Sequence, residues 1–259
     1  MINNLMSLFI LLTVILSSCS NSDENSLTQN DPTNSLKKLT ETSYISGQTD
    51  SFFADFNYEN GNLISISNQT NKIEITYTSG KISATKIYNN NQLVNSYTFD
   101  YLNNNLSTIT NSDNNFERTL YTYLNSNQKT EENQSLINSV WQTQIKDEFI
   151  FVNDNIQQKI YTNPNFINSE FKTSYEYDTK LNPMNYMAKE LREVVSLETC
   201  NFKNKNNTTF SYNYNTANST TPILNNSYQI IYNTQNLPIE IKKYSSTNTL
   251  IAVSTFEYN

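Results

Sequence analysis

Few side chains in this sequence could carry out acid–base or nucleophilic chemistry. None of its 259 residues is histidine, which removes Ser-His-Asp and Cys-His catalytic pairs and histidine-based zinc sites. Three glycines are too few for a phosphate-binding or dinucleotide-binding loop. Two cysteines, Cys19 and Cys200, cannot build a cysteine-rich zinc site. The sequence therefore predicts no catalytic residue, no metal and no cofactor.

Paired carboxylates are the remaining route to catalysis, because two acidic side chains can hydrolyse a glycosidic bond. The candidate pairs are Asp147 with Glu148, Glu131 with Glu132, and Glu240 with Glu257. Adjacent residues of a strand point to opposite faces, so neighbours in sequence make poor catalytic pairs. A carboxylate-only hydrolase is one alternative, and it requires two acidic residues that converge in one cleft.

Aromatic residues are the remaining candidates for ligand binding. The chain has 18 tyrosines, 13 phenylalanines and a single tryptophan. Rings that are exposed on a rigid sheet can stack on sugars or peptides, although in a repetitive β protein such rings usually form the core. The candidate ligand-binding residues are Tyr58, Tyr77, Tyr101 and Trp141. A second alternative is therefore a glycan-binding accessory protein that uses exposed tyrosines.

A β-hairpin motif at residues 56–66 positions these aromatic residues. It reads Phe-Asn-Tyr-Glu-Asn-Gly-Asn-Leu-Ile-Ser-Ile, and Asn-Gly between alternating runs predicts a two-residue turn with positive φ at both positions. The motif recurs along most of the chain, often with asparagine in place of glycine. Its aromatic positions, 19 to 35 residues apart, are Tyr58, Tyr77, Tyr101, Tyr123, Phe151, Tyr177, Tyr212, Tyr232 and Tyr258.

Two features complicate this pattern. Leu63 and Ile66, like Leu106 and Ile109, are an odd number of residues apart, which predicts either a β-bulge or a sheet that is covered on both faces. Residues 183–197 have helical spacing of apolar residues after a capping Asn182, with the charged residues facing water. The charged residues are Lys189, Glu190, Arg192 and Glu193.

The predicted fold is therefore all-β. We expect an antiparallel meander of β-hairpin repeats that forms a curved open sheet or an incomplete barrel, with one short helix near residues 183–197. The role expected for this helix is to plug one side or end of the curved sheet. A partner-binding helix is the alternative.

The N-terminus carries the clearest targeting signal. Residues 5–16 are an apolar run of signal-peptide length, and Leu16-Ser17-Ser18-Cys19 follows it. This ending resembles the lipobox of bacterial lipoproteins, which implies cleavage between Ser18 and Cys19 and lipidation of Cys19. The predicted organisation is a signal peptide at 1–18, a flexible tether at 19–40 and a β-hairpin repeat domain at 41–259.

The repeats resemble those of a known family. Tyr-Glu-Tyr-Asp at 175–178 and the motif at 56–63 are similar to the YD repeats of Rhs-type proteins, and more closely to those of the YD-repeat-like lipoproteins of Bacteroidota. That resemblance implies an architecture and an envelope location, but no catalytic residue.

These signals predict a non-enzymatic outer-membrane lipoprotein, surface-exposed and lipid-anchored, that binds or scaffolds at the cell envelope. The expected partners are the membrane, through the N-terminal lipid, and an envelope protein or a glycan. A formal charge of −7 without a cluster of basic residues argues against nucleic acid.

Overall fold

Antiparallel strands make up most of the protein. The computed structural model describes residues 34–45, 47–113, 115–166, 169–185, 187–188, 190–193 and 203–259. The strands are β1 (Leu36–Ile45), β2 (Gln48–Glu59), β3 (Asn62–Ser67), β4 (Asn71–Thr78), β5 (Lys81–Asn89), β6 (Gln92–Leu102), β7 (Asn105–Asn111), β8 (Glu117–Asn125), β9 (Gln128–Ile137), β10 (Val140–Val152), β11 (Asn155–Thr162), β12 (Phe171–Leu181), β13 (Asn206–Asn213), β14 (Ile223–Tyr232), β15 (Pro238–Ser245) and β16 (Leu250–Tyr258).

The first and last strands pair with each other, so the sheet closes into a sixteen-stranded barrel. Leu39 of β1, for example, lies opposite Phe256 of β16. The protein is all-β and antiparallel, but the predicted open sheet or incomplete barrel is wrong. Closure gives every described strand two hydrogen-bonded neighbours, which removes the exposed edges that promote aggregation of open sheets.

Asparagine takes the place of glycine in the tight turns, as the sequence predicts. Asn60 and Gly61 of the hairpin motif at residues 56–66 have φ angles of 50° and 79°. The turn between β6 and β7 has the same form with two asparagines, Asn103 at 50° and Asn104 at 67°. Asparagine tolerates the left-handed region better than other non-glycine residues, so these turns form with few glycines.

A recurrent β-bulge explains the odd spacing of the apolar residues. Tyr58 pairs with Leu63, whereas Asn57 pairs with Ser65, so Ile64 is the extra residue. Leu63 and Ile66 are consequently both buried. The same register shift occurs between Asp100 and Tyr101 and between Ile150 and Phe151. Of the two explanations that the sequence left open, the bulge is confirmed.

The tyrosines of the repeat join successive hairpins. The Tyr77 hydroxyl donates a hydrogen bond to the carbonyl oxygen of Leu63 at 3.0 Å, and the Tyr101 hydroxyl donates to that of Ile82 at 2.9 Å. Each acceptor lies just after the turn of the preceding hairpin of the same kind. The same contact recurs in the second half of the barrel, from Tyr177 to Ile156 and from Tyr258 to Pro238.

The two ends of the barrel differ in what they carry. Strand β1 begins and β16 ends at the same end, which we call the proximal end. This end also carries the turns β2–β3, β4–β5, β6–β7, β8–β9, β10–β11 and β14–β15 and the long β12–β13 connection. The remaining turns lie at the opposite end, which we call the distal end. The first strand begins at Leu36, before the predicted domain boundary at residue 41.

The described residues of the β12–β13 connection pack against the inner face of the barrel and do not form the predicted helix. In its described residues a turn follows Asn182, and Leu191–Glu193 forms a single turn of 3₁₀ helix. Met184, Met187 and Leu191 join the apolar core of the wall, so this part of the connection is buried as predicted. Arg192 and Glu193 are buried as well. Two of the four charged residues predicted to face water are therefore buried instead, while Glu190 is half-buried and Lys189 lies outside the described residues. Burial of charged residues on the predicted solvent side removes the pattern that an amphipathic surface helix needs.

The two faces of the wall have opposite character. In β4, Ile73 and Ile75 are buried, while Lys72, Glu74 and Thr76 between and beside them point outwards. Strand β6 repeats this pattern, with Phe99 buried between Thr98 and Asp100. A sixteen-stranded barrel is wide enough to hold a channel, and here described residues of the β12–β13 connection pack against its inner wall. None of the described residues forms a helix of the length and hydropathy that a transmembrane helix needs.

Candidate functional site

Charged side chains meet inside the barrel, where strands β9, β10 and β11 face the β12–β13 connection. This interior charge cluster consists of Lys129, Glu131, Asp147, Lys159, Glu193 and Lys203. Glu131 and Asp147 are direct cross-strand partners, so the inward alternation of two neighbouring strands brings them together. Glu132 and Glu148, the residues that follow them in sequence, point out of the barrel, as the alternation rule predicts.

Ion pairs balance most of these charges. Lys129 Nζ lies 2.6 Å from Glu131 Oε1 and above the ring of Tyr121, 4.1 Å from its centroid. Lys159 Nζ lies 2.8 Å from Asp147 Oδ2. Glu193 of the connection lies 3.8 Å from both Lys129 and Lys203, with Arg192 beside it. The cluster therefore links the connection to the wall by charge.

Burial shifts the acid–base equilibria of the cluster. Desolvation raises the pKa of Glu193 to about 7, because lysines 3.8 Å away offset it only in part. Desolvation also raises the pKa of Asp147, against the opposing effect of Lys159. Burial lowers the pKa of Lys203 to about 8.

Stability is expected to depend on pH through Glu193. A carboxyl with a raised pKa binds its proton more tightly in the folded state, so the free energy of unfolding falls as pH rises from about 4.5 to about 7. We expect Glu193→Gln to remove this part of the slope, measured by urea unfolding across that range. Glu148→Gln, on the outer wall, is the control that keeps the wild-type slope. Equal slopes for wild type and Glu193→Gln would contradict the shifted pKa.

A carboxylate-only hydrolase requires two acidic residues that converge in an accessible cleft, and the interior charge cluster provides the convergence without the access. Two carboxylates do converge, but the side chains of Glu131 and Asp147 are at most 4% exposed and each is paired with a lysine. An acid–base pair must reach its substrate, and these side chains are covered by the connection and the wall. Among the described residues, no group of three acidic or cysteine side chains is placed to hold a metal ion.

The predicted ligand-binding tyrosines point into the barrel. Tyr58, Tyr77 and Tyr101 pack against the apolar core. Burial raises the pKa of the Tyr77 hydroxyl to about 12 and raises those of Tyr58 and Tyr101 as well. These contacts account for the tyrosines as structural residues, and ligand binding by them stays a prediction.

Trp141 lies apart from those tyrosines, near the distal end of β10. The guanidinium carbon of Arg118 lies 4.2 Å from the centroid of its ring, and Arg118 Nε donates a hydrogen bond to Gln134 at 2.9 Å. One face of the indole is therefore occupied by a cation. The structure does not bring Trp141 together with the other three predicted residues. Cys19 and Ser18, predicted for lipidation and cleavage, lie outside the described residues.

Exposed apolar side chains occur around the distal end, and five of them lie on the sector formed by β7 to β12. This distal patch consists of Phe116, Ile137, Val140, Phe166 and Phe171. Hydrogen bonds hold its parts together, from the Leu136 amide to the Phe116 carbonyl at 2.7 Å and from Asn165 Nδ2 to Gln144 Oε1 at 3.1 Å. Exposed apolar patches of this kind mark interaction sites.

Sequence reasoning missed both the distal patch and the interior charge cluster. The patch has a signal that could have been used, because Phe116 and Phe166 stand in otherwise polar turn segments, where burial is not expected. Glu131 and Asp147 were named from the sequence, but in separate pairs, because their meeting depends on the register of the β9–β10 hairpin. The contacts of Glu193 with this cluster depend on the position of the connection.

Comparisons with known proteins add the following. No protein-family model matches the chain, and no curated protein matches it. Among solved structures, the chain is similar to a porin-like protein from Bacteroides vulgatus ATCC 8482, with 12% identity, a TM-score of 0.49, and coverage of 87% of this chain and 99% of that one. It is also similar to a porin-like protein from Bacteroides uniformis ATCC 8492, with 9% identity, a TM-score of 0.38, and coverage of 88% and 99%.

Proposed function

We propose that this protein is an outer-membrane lipoprotein whose barrel stands in water and acts as a non-enzymatic binding or scaffolding module. The lipid on Cys19 attaches it to the membrane, and the distal patch receives a protein partner of the cell envelope. The lipobox-like ending at residues 16–19 and the YD-like repeats support the location. The absence of histidine from the sequence supports the non-enzymatic role.

The polar outer face of the barrel is the observation that carries this proposal. A barrel that spans a membrane with its strands presents an apolar band of about 25 Å to the lipid. Here the outer wall carries charged side chains, with Glu74 and Glu148 well inside their strands and Asp100 nearer the proximal end of β6. Placing those charges in hydrocarbon would be costly, so membrane attachment has to come from another part of the chain.

The composition of the distal patch favours a protein partner over a glycan. Phenylalanine, isoleucine and valine bury apolar area without offering hydrogen bonds, which suits the apolar centre of a protein interface. Glycan recognition would rely on flat, accessible aromatic rings. Tyr58, Tyr77 and Tyr101 face the interior, and Arg118 covers one face of Trp141.

Two measurements test the proposal. Cys19→Ala is expected to release the protein from outer membranes, and unchanged attachment would remove the lipid anchor. A photo-crosslinking amino acid at Phe166 in living cells is expected to give a discrete protein adduct, whereas the same group at Thr98 on the outer wall gives none.

Variants locate the partner-binding surface. Phe116→Ser is expected to weaken formation of the adduct about tenfold, as loss of one apolar anchor typically does. Ile231→Ser, at an exposed apolar residue of β14 near the proximal end, is the control that leaves the adduct unchanged. Equal adducts at Phe166 and Thr98, or binding only to a glycan array, would overturn the assignment of a protein partner.

A further inference from the structure

Three exposed aliphatic side chains follow the aromatic residue of the repeat in three successive hairpins of the proximal end. Leu102 and Val152 stand immediately before the turn, and Leu124 is separated from it by Asn125. Their hairpins, β6–β7, β8–β9 and β10–β11, are neighbours around the barrel. We call these three residues the proximal ridge.

Among the proximal hairpins, the position after the aromatic residue is apolar in this sector and polar elsewhere. The corresponding residues in the hairpins β2–β3, β4–β5 and β14–β15 are Glu59, Thr78 and Asn233. Neighbouring strands are about 4.8 Å apart, so successive ridge residues lie about 10 Å from one another and the ridge spans about 20 Å. Because a residue beside a turn is not needed for the core, three exposed aliphatic side chains on neighbouring hairpins call for a separate explanation.

The path of the chain places the ridge next to the membrane. Strand β1 begins at Leu36 at the proximal end, and residues 20–35 connect it to the proposed lipid on Cys19. A segment of this length reaches no more than about 55 Å when fully extended. The proximal end is therefore the end of the barrel to which the tether is joined.

The surroundings of the ridge suit a lipid surface. The turn after Leu102 is Asn103–Asn104, and Lys81 borders it, with Nζ donating to the Asn104 carbonyl at 2.8 Å and lying 4.5 Å from the centroid of the Tyr101 ring. Aliphatic side chains can enter the boundary between headgroups and acyl chains, while uncharged amides and a lysine remain at the headgroups.

We propose that the proximal ridge inserts into the interface of the membrane to which the chain is tethered. This inference rests on the proposed lipid anchor. The acyl chains supply the attachment, and the ridge sets the orientation, so that the barrel stands with its distal patch pointing away from the bilayer. A second docking point restricts the rotation that a single tether would leave free.

Tryptophan fluorescence tests this orientation, because Trp141 is the single tryptophan of the chain. In the lipidated full-length protein with Trp141→Phe, a new tryptophan is placed by Leu124→Trp at the ridge or by Val140→Trp at the distal end. Leu124 and Val140 are both 61% exposed, so the two variants are matched for exposure. Each is bound to vesicles of phosphatidylethanolamine and phosphatidylglycerol with plain or brominated acyl chains.

The proposal predicts that brominated lipid lowers the emission of the Leu124→Trp variant roughly twofold or more and that its spectrum shifts to the blue. The Val140→Trp variant and wild-type Trp141 should emit equally in both lipids. Proteins that fail to float with vesicles would disprove the anchor itself. Flotation without quenching at residue 124, or equal quenching at both ends, would overturn the ridge. A blue shift at residue 124 that is independent of bromine would identify protein contact and also overturn it.

Discussion

Lys129→Met is expected to lower the free energy of unfolding by about 3–5 kcal/mol, because it leaves buried carboxylates without their cation. The lysine side chain is 0% exposed, and its Nζ lies 2.6 Å from Glu131 and 3.8 Å from Glu193. Without it, Glu131 would face Asp147, its cross-strand partner, in an interior of low polarity. Urea unfolding at neutral pH measures the loss.

Lys146→Met is the matched control for this prediction. Lys146 also lies 2.6 Å from a glutamate, Glu148, but the two side chains are 35% and 44% exposed on the outer wall. Exposed pairs of this kind contribute less than about 1 kcal/mol. The double variant Lys129→Met with Glu131→Gln should recover part of the loss, since no unpaired charge remains at residue 131. Equal costs for Lys129→Met and Lys146→Met would mean that the interior is wet at this point.

Leu191→Ala is expected to cost about 2–5 kcal/mol, because it removes a fully buried side chain from the β12–β13 connection. Leu191 packs in the same core as Ile82 and Phe99 of the wall. A chain that begins after Cys19 retains every described strand, so its unfolding in urea reports this cost.

Leu102→Ala provides the reference for Leu191→Ala. Leu102 is exposed at the proximal end, and its truncation in water should change stability by less than about 0.5 kcal/mol. If the two variants lost equal stability, the connection would not occupy the interior of the barrel.

Local features of the fold could be predicted well from the sequence. Turn residues such as Asn60 and Gly61 adopt positive φ because of their own chemistry, and alternation within a strand sets which side chains share a face. The odd spacing of Leu63 and Ile66 indicated a choice between two structures. The register that decided between them involves β2 and β3, which are adjacent in sequence.

The helix near residues 183–197 shows where such prediction stops. The apolar residues of this segment were correctly predicted to be buried, since Met184, Met187 and Leu191 all lie in the core. Spacing alone does not show whether the other side of a segment meets water. Inside the barrel, Arg192 and Glu193 meet buried side chains instead, and the described backbone forms turns and one 3₁₀ turn.

The amino-acid sequence by itself determined the hairpins, their turns and the scarcity of catalytic side chains, because each depends on residues close together in the chain or on composition. The tertiary structure alone decided that β1 meets β16 and that Glu193 of the β12–β13 connection meets Lys129 of β9. These outcomes depend on contacts between residues far apart in sequence, which form only when the strands and the connection come together in space.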